Sequence, residues 1–302
     1  QLENIVLELF NNKSLGVTSM DVDDKNQVYE IGLEKLDDSK KDLINKFLAM
    51  HDIPQDMIKL KETGKIIPVG GGTGSTYTPG PTIRPIEGGL QIGVSPSFGS
   101  CTIGFIAKTS SGSTVGTTAG HCVDGGRTNA ANQKYTQPYS SNANDYTTNA
   151  IASVIASSDK APPRYSDTLL FTPSVSTNLG KIYNGGPVLT VTGKDYSPYV
   201  GKAVSAFGST SGTGSGTITK TGVVYSDSAL GGLVYGQVEA SMSPIPYPNP
   251  GDSGGPVWST NPDSTITLEG TMVARSIDNS QVVLIFSPIS GIEFDQGTLQ
   301  VN

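Results

Sequence analysis

The chain has 302 residues, 16% of them charged, and a formal net charge of −7; that length suits about two domains of average size and buries a substantial core. The acidic balance argues against a nucleic-acid partner, which needs clustered Lys and Arg, and no apolar run nears the roughly 20 residues that span a bilayer. With two Cys and two His in all, zinc sites built from four cysteines, or from two cysteines and two histidines at local spacing, are excluded, and neither metal nor cofactor is expected.

Charge and glycine divide the chain. Residues 1–64 carry 13 Asp/Glu, 8 Lys/Arg and 3 Gly; residues 65–302 carry 14, 12 and 34. The segment 1–64 reads as a small α+β domain. Leu2, Ile5, Val6, Leu9 and Phe10 fall at helical spacing. Tyr29, Ile31 and Leu33 alternate as in a strand. Ser39 and Asp42 resemble a capping box ahead of a second helical stripe, Leu43, Ile44, Phe47 and Leu48. Ile58 and Leu60 alternate with lysines in another strand, and His51 reads as a solvated surface residue. About 60 residues are marginal alone, so this domain is expected to lean on the rest of the chain.

Residues 65–85 form a Gly/Pro-rich linker, with Gly70 to Ser75 followed by Pro79, Pro81 and Pro85. It is expected to pack against the protein. In residues 86–302, short strands alternate with Gly, Ser, Asn and Pro turns, as in Thr102–Ala107, Thr168–Phe171, Val188–Val191, Val204–Phe207, Thr217–Thr221, Thr265–Val273 and Val282–Phe286. Strands at this spacing predict a sandwich or barrel.

The sharpest motif is Pro250-Gly251-Asp252-Ser253-Gly254-Gly255-Pro256-Val257. Its glycines permit a tight turn that exposes the Ser253 hydroxyl. The turn also aims the N–H groups of Gly251 and Ser253 at one point, as an oxyanion hole requires. A serine needs a base near neutral pKa to become a nucleophile. Of the two histidines, His121 sits among small residues in Thr117-Thr118-Ala119-Gly120-His121-Cys122, within the β-rich part.

The Thr-Ala-Gly-His-Cys and Gly-Asp-Ser-Gly-Gly-Pro strings resemble the chymotrypsin-like serine peptidases, in the bacterial branch of streptogrisins and α-lytic protease. Gly208-Ser209-Thr210-Ser211-Gly212 and Ser215-Gly216-Thr217-Ile218-Thr219 are similar to further runs of that branch. The resemblance spans roughly residues 86–295. It implies two packed antiparallel β-barrels with the site in the cleft between them, and a peptide or protein substrate. It also implies a catalytic Asp between His and Ser that orients the imidazole. Asp167, before the apolar Leu169-Leu170-Phe171, matches best; Asp145 and Asp159 are the competitors. Cys101 and Cys122 fit the family disulfide beside the histidine, which implies an oxidising compartment and secretion. No signal peptide is in view, and Gln1 reads as a processed or engineered start.

Relatives in the bacterial branch satisfy the Asp before the serine with an arginine, so Arg127, Arg164 and Arg275 are candidates for Asp252. The run Val273, Ala274 and Arg275 stands where the family has its substrate-binding edge, and the serine that normally supports the catalytic Asp is not evident there. Arg275 is expected to be exposed or to pair with Asp252; the alternative is that it points into the primary pocket, where it would narrow the pocket or attract an acidic side chain. The family also gives residues 1–64 a reading as a pro-segment, with residues 1–85 lying over the cleft. The expected function is a secreted serine endopeptidase, seen as a proenzyme. The alternative is a protease-like binding or adhesion protein with an unproductive cleft.

Overall fold

The charged N-terminal residues fold around one apolar face. The computed structural model describes residues 2–23, 26, 28–68, 80–227, 230–243, 247–278 and 281–302. Helix Leu2–Asn11 is followed by strands Val17–Asp23 and Val28–Leu33, helix Asp38–Met50 and strand Ile58–Glu62. Leu9, Leu15, Val17, Met20, Ile31, Leu33, Ile44 and Leu48 are buried together. The side chains of Leu2 and Val6 lie outside the described residues. Strand Ile58–Glu62 runs parallel to Val28–Leu33, which is antiparallel to Val17–Asp23. The expected capping box is corrected: the cap is Asp37, whose carboxylate accepts from the Lys40 N–H at 2.9 Å. Ser39 lies inside the first turn, where its hydroxyl can no longer serve as the cap.

The rest is mainly β, with the chymotrypsin-like arrangement of sheets. A six-stranded sheet runs in the order Lys134–Tyr135, Ala152–Val154, Leu169–Pro173, Thr114–Thr118, Ile106–Thr109 and Leu299–Gln300, beside the hairpin Gln91–Ser95/Gly99–Thr102. Its core holds Ile92, Val94, Cys101, Cys122, Tyr135, Leu169 and Phe171. The expected single strand Thr102–Ala107 is instead two, because Ile103 to Phe105 break from one sheet to the other.

Strands Ala203–Gly208, Gly212–Asp227, Gly232–Ser243, Pro256–Thr260, Ile266–Asp278 and Gln281–Pro288 build the second core around Val204, Ile218, Val238, Met242, Tyr247, Val257, Met272, Leu284 and Phe286. These six pair antiparallel. A third apolar cluster, with Phe105, Leu170, Phe207, Trp258 and Ile289, joins the two halves.

Among the described residues, two strand pairings tie the N-terminal part and the linker to this body. Val17–Asp23 pairs antiparallel with the end of Gly212–Asp227, at Ser19–Tyr225 and Met20–Val224. The three N-terminal strands thus extend the second sheet. Farther on, the two-residue strand Ile67–Pro68 pairs antiparallel with Ala274 and Arg275. Of the linker, Gly80 N–H donates to Gln91 at 2.9 Å and Ile83 N–H to Gln137 at 3.3 Å. The packing expected of Gly70 to Ser75 and Pro79 falls outside the described residues.

Candidate active site

The turn 251–255 joins the second sheet to the cleft, and its backbone is almost fully committed. Asp252 N–H donates to Asn249 O, Gly254 N–H to Met272 O and Gly255 N–H to Asp252 O. Among the described residues, the N–H groups of Gly251 and Ser253 have no hydrogen-bond partner. These are the two that the sequence assigns to an oxyanion hole. Gly254 has φ +84° and a Cβ there would lie 2.3 Å from the Thr118 hydroxyl, so the close approach of the two halves requires glycine.

Thr102, on the other half, grips this turn. Its N–H donates to Ser253 O at 2.8 Å and its hydroxyl donates to Gly251 O at 2.8 Å. It directly follows Cys101, which is joined to Cys122 by a disulfide. One crosslink therefore anchors both the clamp and the loop that carries His121.

The structure brings His121, Asp167 and Ser253 together. His121 Nε2 is 2.7 Å from Ser253 Oγ, and Nδ1 is 2.5 Å from Asp167 Oδ2. The His121 backbone N–H donates to Asp167 Oδ1 at 3.1 Å. All three are buried. A carboxylate that only accepts places the proton on Nδ1 and leaves Nε2 free to accept from the serine. Burial, the largest single effect, pulls the His121 pKa down, but the Asp167 charge and hydrogen bond together with the Asp227 charge outweigh it and hold it above the usual value. Burial pushes Asp167 up, and the His121 and Arg164 charges nevertheless hold it below the carboxylate range.

Gly120 leaves room for this pair: a Cβ there would lie 2.6 Å from Asp167 Oδ1 and 3.0 Å from Arg164 Nη1. Of the other acids, Asp159 pairs with Arg164 at 3.2 Å and Asp145 accepts from Ser140 and Asn149. His51 closes its helix in the N-terminal part, its ring 4.6 Å from that of Phe47.

Several supporting residues were not legible in the sequence. In strand 266–278, where the sequence shows no evident serine to support Asp167, the Val273 carbonyl is 3.4 Å from Ser253 Oγ. Ser287, from strand 281–288, holds the backbone of Asp167 and not its carboxylate. Its hydroxyl accepts from Asp167 N–H at 2.9 Å and donates to Gln237 at 2.7 Å. Asp227 is a further buried acid. One ligand atom from each of His121, Asp167 and Asp227 lies within 4.8 Å of the others. The His121–Asp167 separation of 2.5 Å is that of a direct hydrogen bond; an ion with ligand bonds of about 2 Å does not fit between them.

The expected arginine partner of Asp252 is corrected. Its carboxylate instead accepts the N–H groups of Thr210, Ser211 and Asn249 at 2.9, 3.0 and 2.7 Å. The Gly208 to Ser211 run thus has a role: a Cβ on Gly208 would lie 2.1 Å from the Asp252 carboxyl carbon. Arg275 is half-buried and donates to Pro248 O and Asn249 Oδ1, both at 3.0 Å. Arg164 is fully buried beneath the site, and donates to Asp159, Lys160 O and Thr168 O.

No protein-family model matches the chain. Its structural neighbours are bacterial chymotrypsin-like serine proteases. Nocardiopsis protease aligns with a TM-score of 0.52 and 22% identity, over 71% of this chain and 98% of its own. Thermobifida fusca protease A gives 0.53 and 21%, over 72% and 99%. A protease described as glutamic acid specific, with a histidine triad in substrate binding, gives 0.53 and 19%, over 71% and 100%. At these identities the likeness establishes the chymotrypsin-like fold.

Proposed function

We propose that the chain is a secreted serine endopeptidase, held as a proenzyme by its N-terminal segment. The observation that carries this reading is the continuous hydrogen-bonded line Asp167–His121–Ser253, ending beside two unused N–H groups. Ser253 Oγ attacks the peptide carbonyl while His121 Nε2 takes its proton. The N–H groups of Gly251 and Ser253 hold the oxyanion. His121 then gives the proton to the leaving amine, and water hydrolyses the acyl-enzyme by the same route in reverse. Asp167 keeps the imidazole in the correct tautomer and stabilises its charged form.

Val273, Ala274 and Arg275 form the substrate edge in this reading. Ile67 and Pro68 already pair with Ala274 and Arg275, next to the Val273 carbonyl that touches Ser253. Strand addition of this kind is how an extended peptide docks on a sheet edge, so the segment 1–85 acts as its own first occupant of the cleft. The disulfide supports an oxidising compartment. Among the described residues, no helix is long and apolar enough to cross a membrane. With two histidines in the whole chain, a histidine triad for glutamate selection is not available to this protein.

Replacing Ser253 by Ala is expected to abolish peptide hydrolysis, by up to about 10⁶-fold in kcat. Turnover undiminished in that variant would sink the assignment. A wild-type protein that binds peptides without cutting them would favour a binding or adhesion role.

A further inference from the structure

Asp227 is a buried acid at the site that the steps above leave unused. It ends the long strand Gly212–Asp227 and is 1% exposed. Its Oδ1 accepts from the Leu230 N–H at 3.0 Å, and its Oδ2 from the Tyr225 hydroxyl at 3.5 Å. These contacts fix the carboxylate rather than leaving it to swing into solvent. Fixed there, it has an oxygen within 4.8 Å of a His121 ring nitrogen and of an Asp167 oxygen.

Burying a second carboxylate beside the first is costly unless something positive offsets it. The charged and titratable groups facing the ring are Asp167, Asp227 and Arg164, with Tyr225 beside Asp227. Arg164 is permanently positive and fully buried. His121 is neutral at rest and positive in the transition state. A fixed negative charge at this range therefore favours the transition state over the ground state, which is the condition for catalysis.

We propose that Asp227 is a positioning residue of the catalytic group, a second carboxylate that acts with Asp167 to stabilise the charged imidazolium of His121. The role in catalysis rests on the serine-peptidase reading; the electrostatic effect on the ring does not. The direction is fixed by the charges. Burial lowers the His121 pKa, Asp167 raises it, Asp227 adds to the rise and Arg164 opposes it. A more basic imidazole is a stronger acceptor, and it loses its base form at a higher pH.

Nuclear magnetic resonance of the full chain tests this directly, because the chain has two histidines, His51 and His121, and His51→Gln assigns their signals. In Asp227→Asn, the His121 midpoint is expected to fall by about one pH unit. The acid limb of the rate of labelling by a fluorophosphonate is expected to move down with it. The rate on the alkaline plateau is expected to drop about tenfold. Asp227→Glu, which keeps the charge, is expected to titrate near wild type. An Asp227→Asn protein that melts like wild type and whose His121 midpoint is unmoved would overturn the proposal. Should Asp227→Asn not fold, Asp227→Ser, which also removes the charge, decides: the His121 midpoint is expected to fall, and one unmoved from wild type would overturn the proposal. A His121 shift in a protein that never labels would leave the electrostatic role standing and refute the peptidase reading instead.

Discussion

At the scale of single residues, the proposed nucleophile is held by bonds made elsewhere. Ser253 sits on a turn whose carbonyls at 251 and 253 are both taken by Thr102. The Thr102 hydroxyl also accepts the Ser209 N–H at 3.0 Å. Thr102→Val would leave the Gly251 carbonyl with only the 3.2 Å bond from the Ser209 hydroxyl and strand that N–H. Small displacements of reacting atoms are expensive in rate, so kcat is expected to fall about tenfold with KM little changed. Steady-state kinetics that match wild type would remove Thr102 from the account. Ser253 and His121 were legible because each lies in a local string whose small residues are dictated by close approach, and Asp167 because the family resemblance implies an Asp ahead of an apolar run such as Leu169-Leu170-Phe171. Thr102, Asp227, Ser287 and Gln237 were not. Thr102 meets Ser209 across 107 positions and Ser287 meets Asp167 across 120, and no local pattern marks either. Arg275 was misread for a related reason, since three backbone N–H groups that sequence cannot count already satisfy Asp252.

Among the elements, the decisive one is the strand Gly212–Asp227. It pairs with Gly232–Ser243, receives the N-terminal strand near its end, and delivers Asp227 to the site. Sequence reading found only its middle, residues 217–221, because Gly, Ser and Thr dilute the alternation and the pairing with Gly232–Ser243 shifts register three times. Strand Val17–Asp23 was missed too; Thr18, Ser19 and Asp21 hide its apolar face.

The junction between the two strands is electrostatic. Lys220 bonds the Glu30 carboxylate and lies 3.9 Å from both Asp21 and Glu239. Burial pushes the Glu30 carboxyl up, and Lys220 with Lys59 nevertheless holds it below the usual range. Its stabilising contribution is therefore present above about pH 4.5 and is lost as the pH falls through its lowered folded value. Lys220→Met would leave these partly buried acids facing one another. Removing one partner of such a group is expected to destabilise by about 3 kcal/mol, read as a shift in urea unfolding. A loss under about 1 kcal/mol, the range of surface pairs, would mean that apolar packing alone holds the segment.

For the molecule as a whole, the chain's charge asymmetry acquires a structural meaning. The acidic first 64 residues extend the sheet of the glycine-rich body and lead to Ile67 and Pro68 beside Ala274 and Arg275, the proposed substrate edge. A body built from distant strand pairings folds slowly. In the proposed proenzyme reading, the added sheet templates the hairpin 212–243 while Ile67 and Pro68 occupy the edge beside Ser253, which would serve both assembly and restraint. Closing the loop between Cys101 and Cys122, 21 positions apart, contributes roughly 3 kcal/mol in the chain-entropy model and keeps His121 opposite Ser253.

The central claim is that Ser253 is a nucleophile activated by His121 and screened by the N-terminal segment. Reaction with a fluorophosphonate, mapped by mass spectrometry before and after proteolytic cutting within residues 65–85, measures all three parts at once. The account predicts slow labelling of the intact chain, fast stoichiometric labelling of Ser253 after the cut, and none in Ser253→Ala or His121→Ala. No adduct on Ser253 in either form, or equal rates before and after a complete cut, would contradict it.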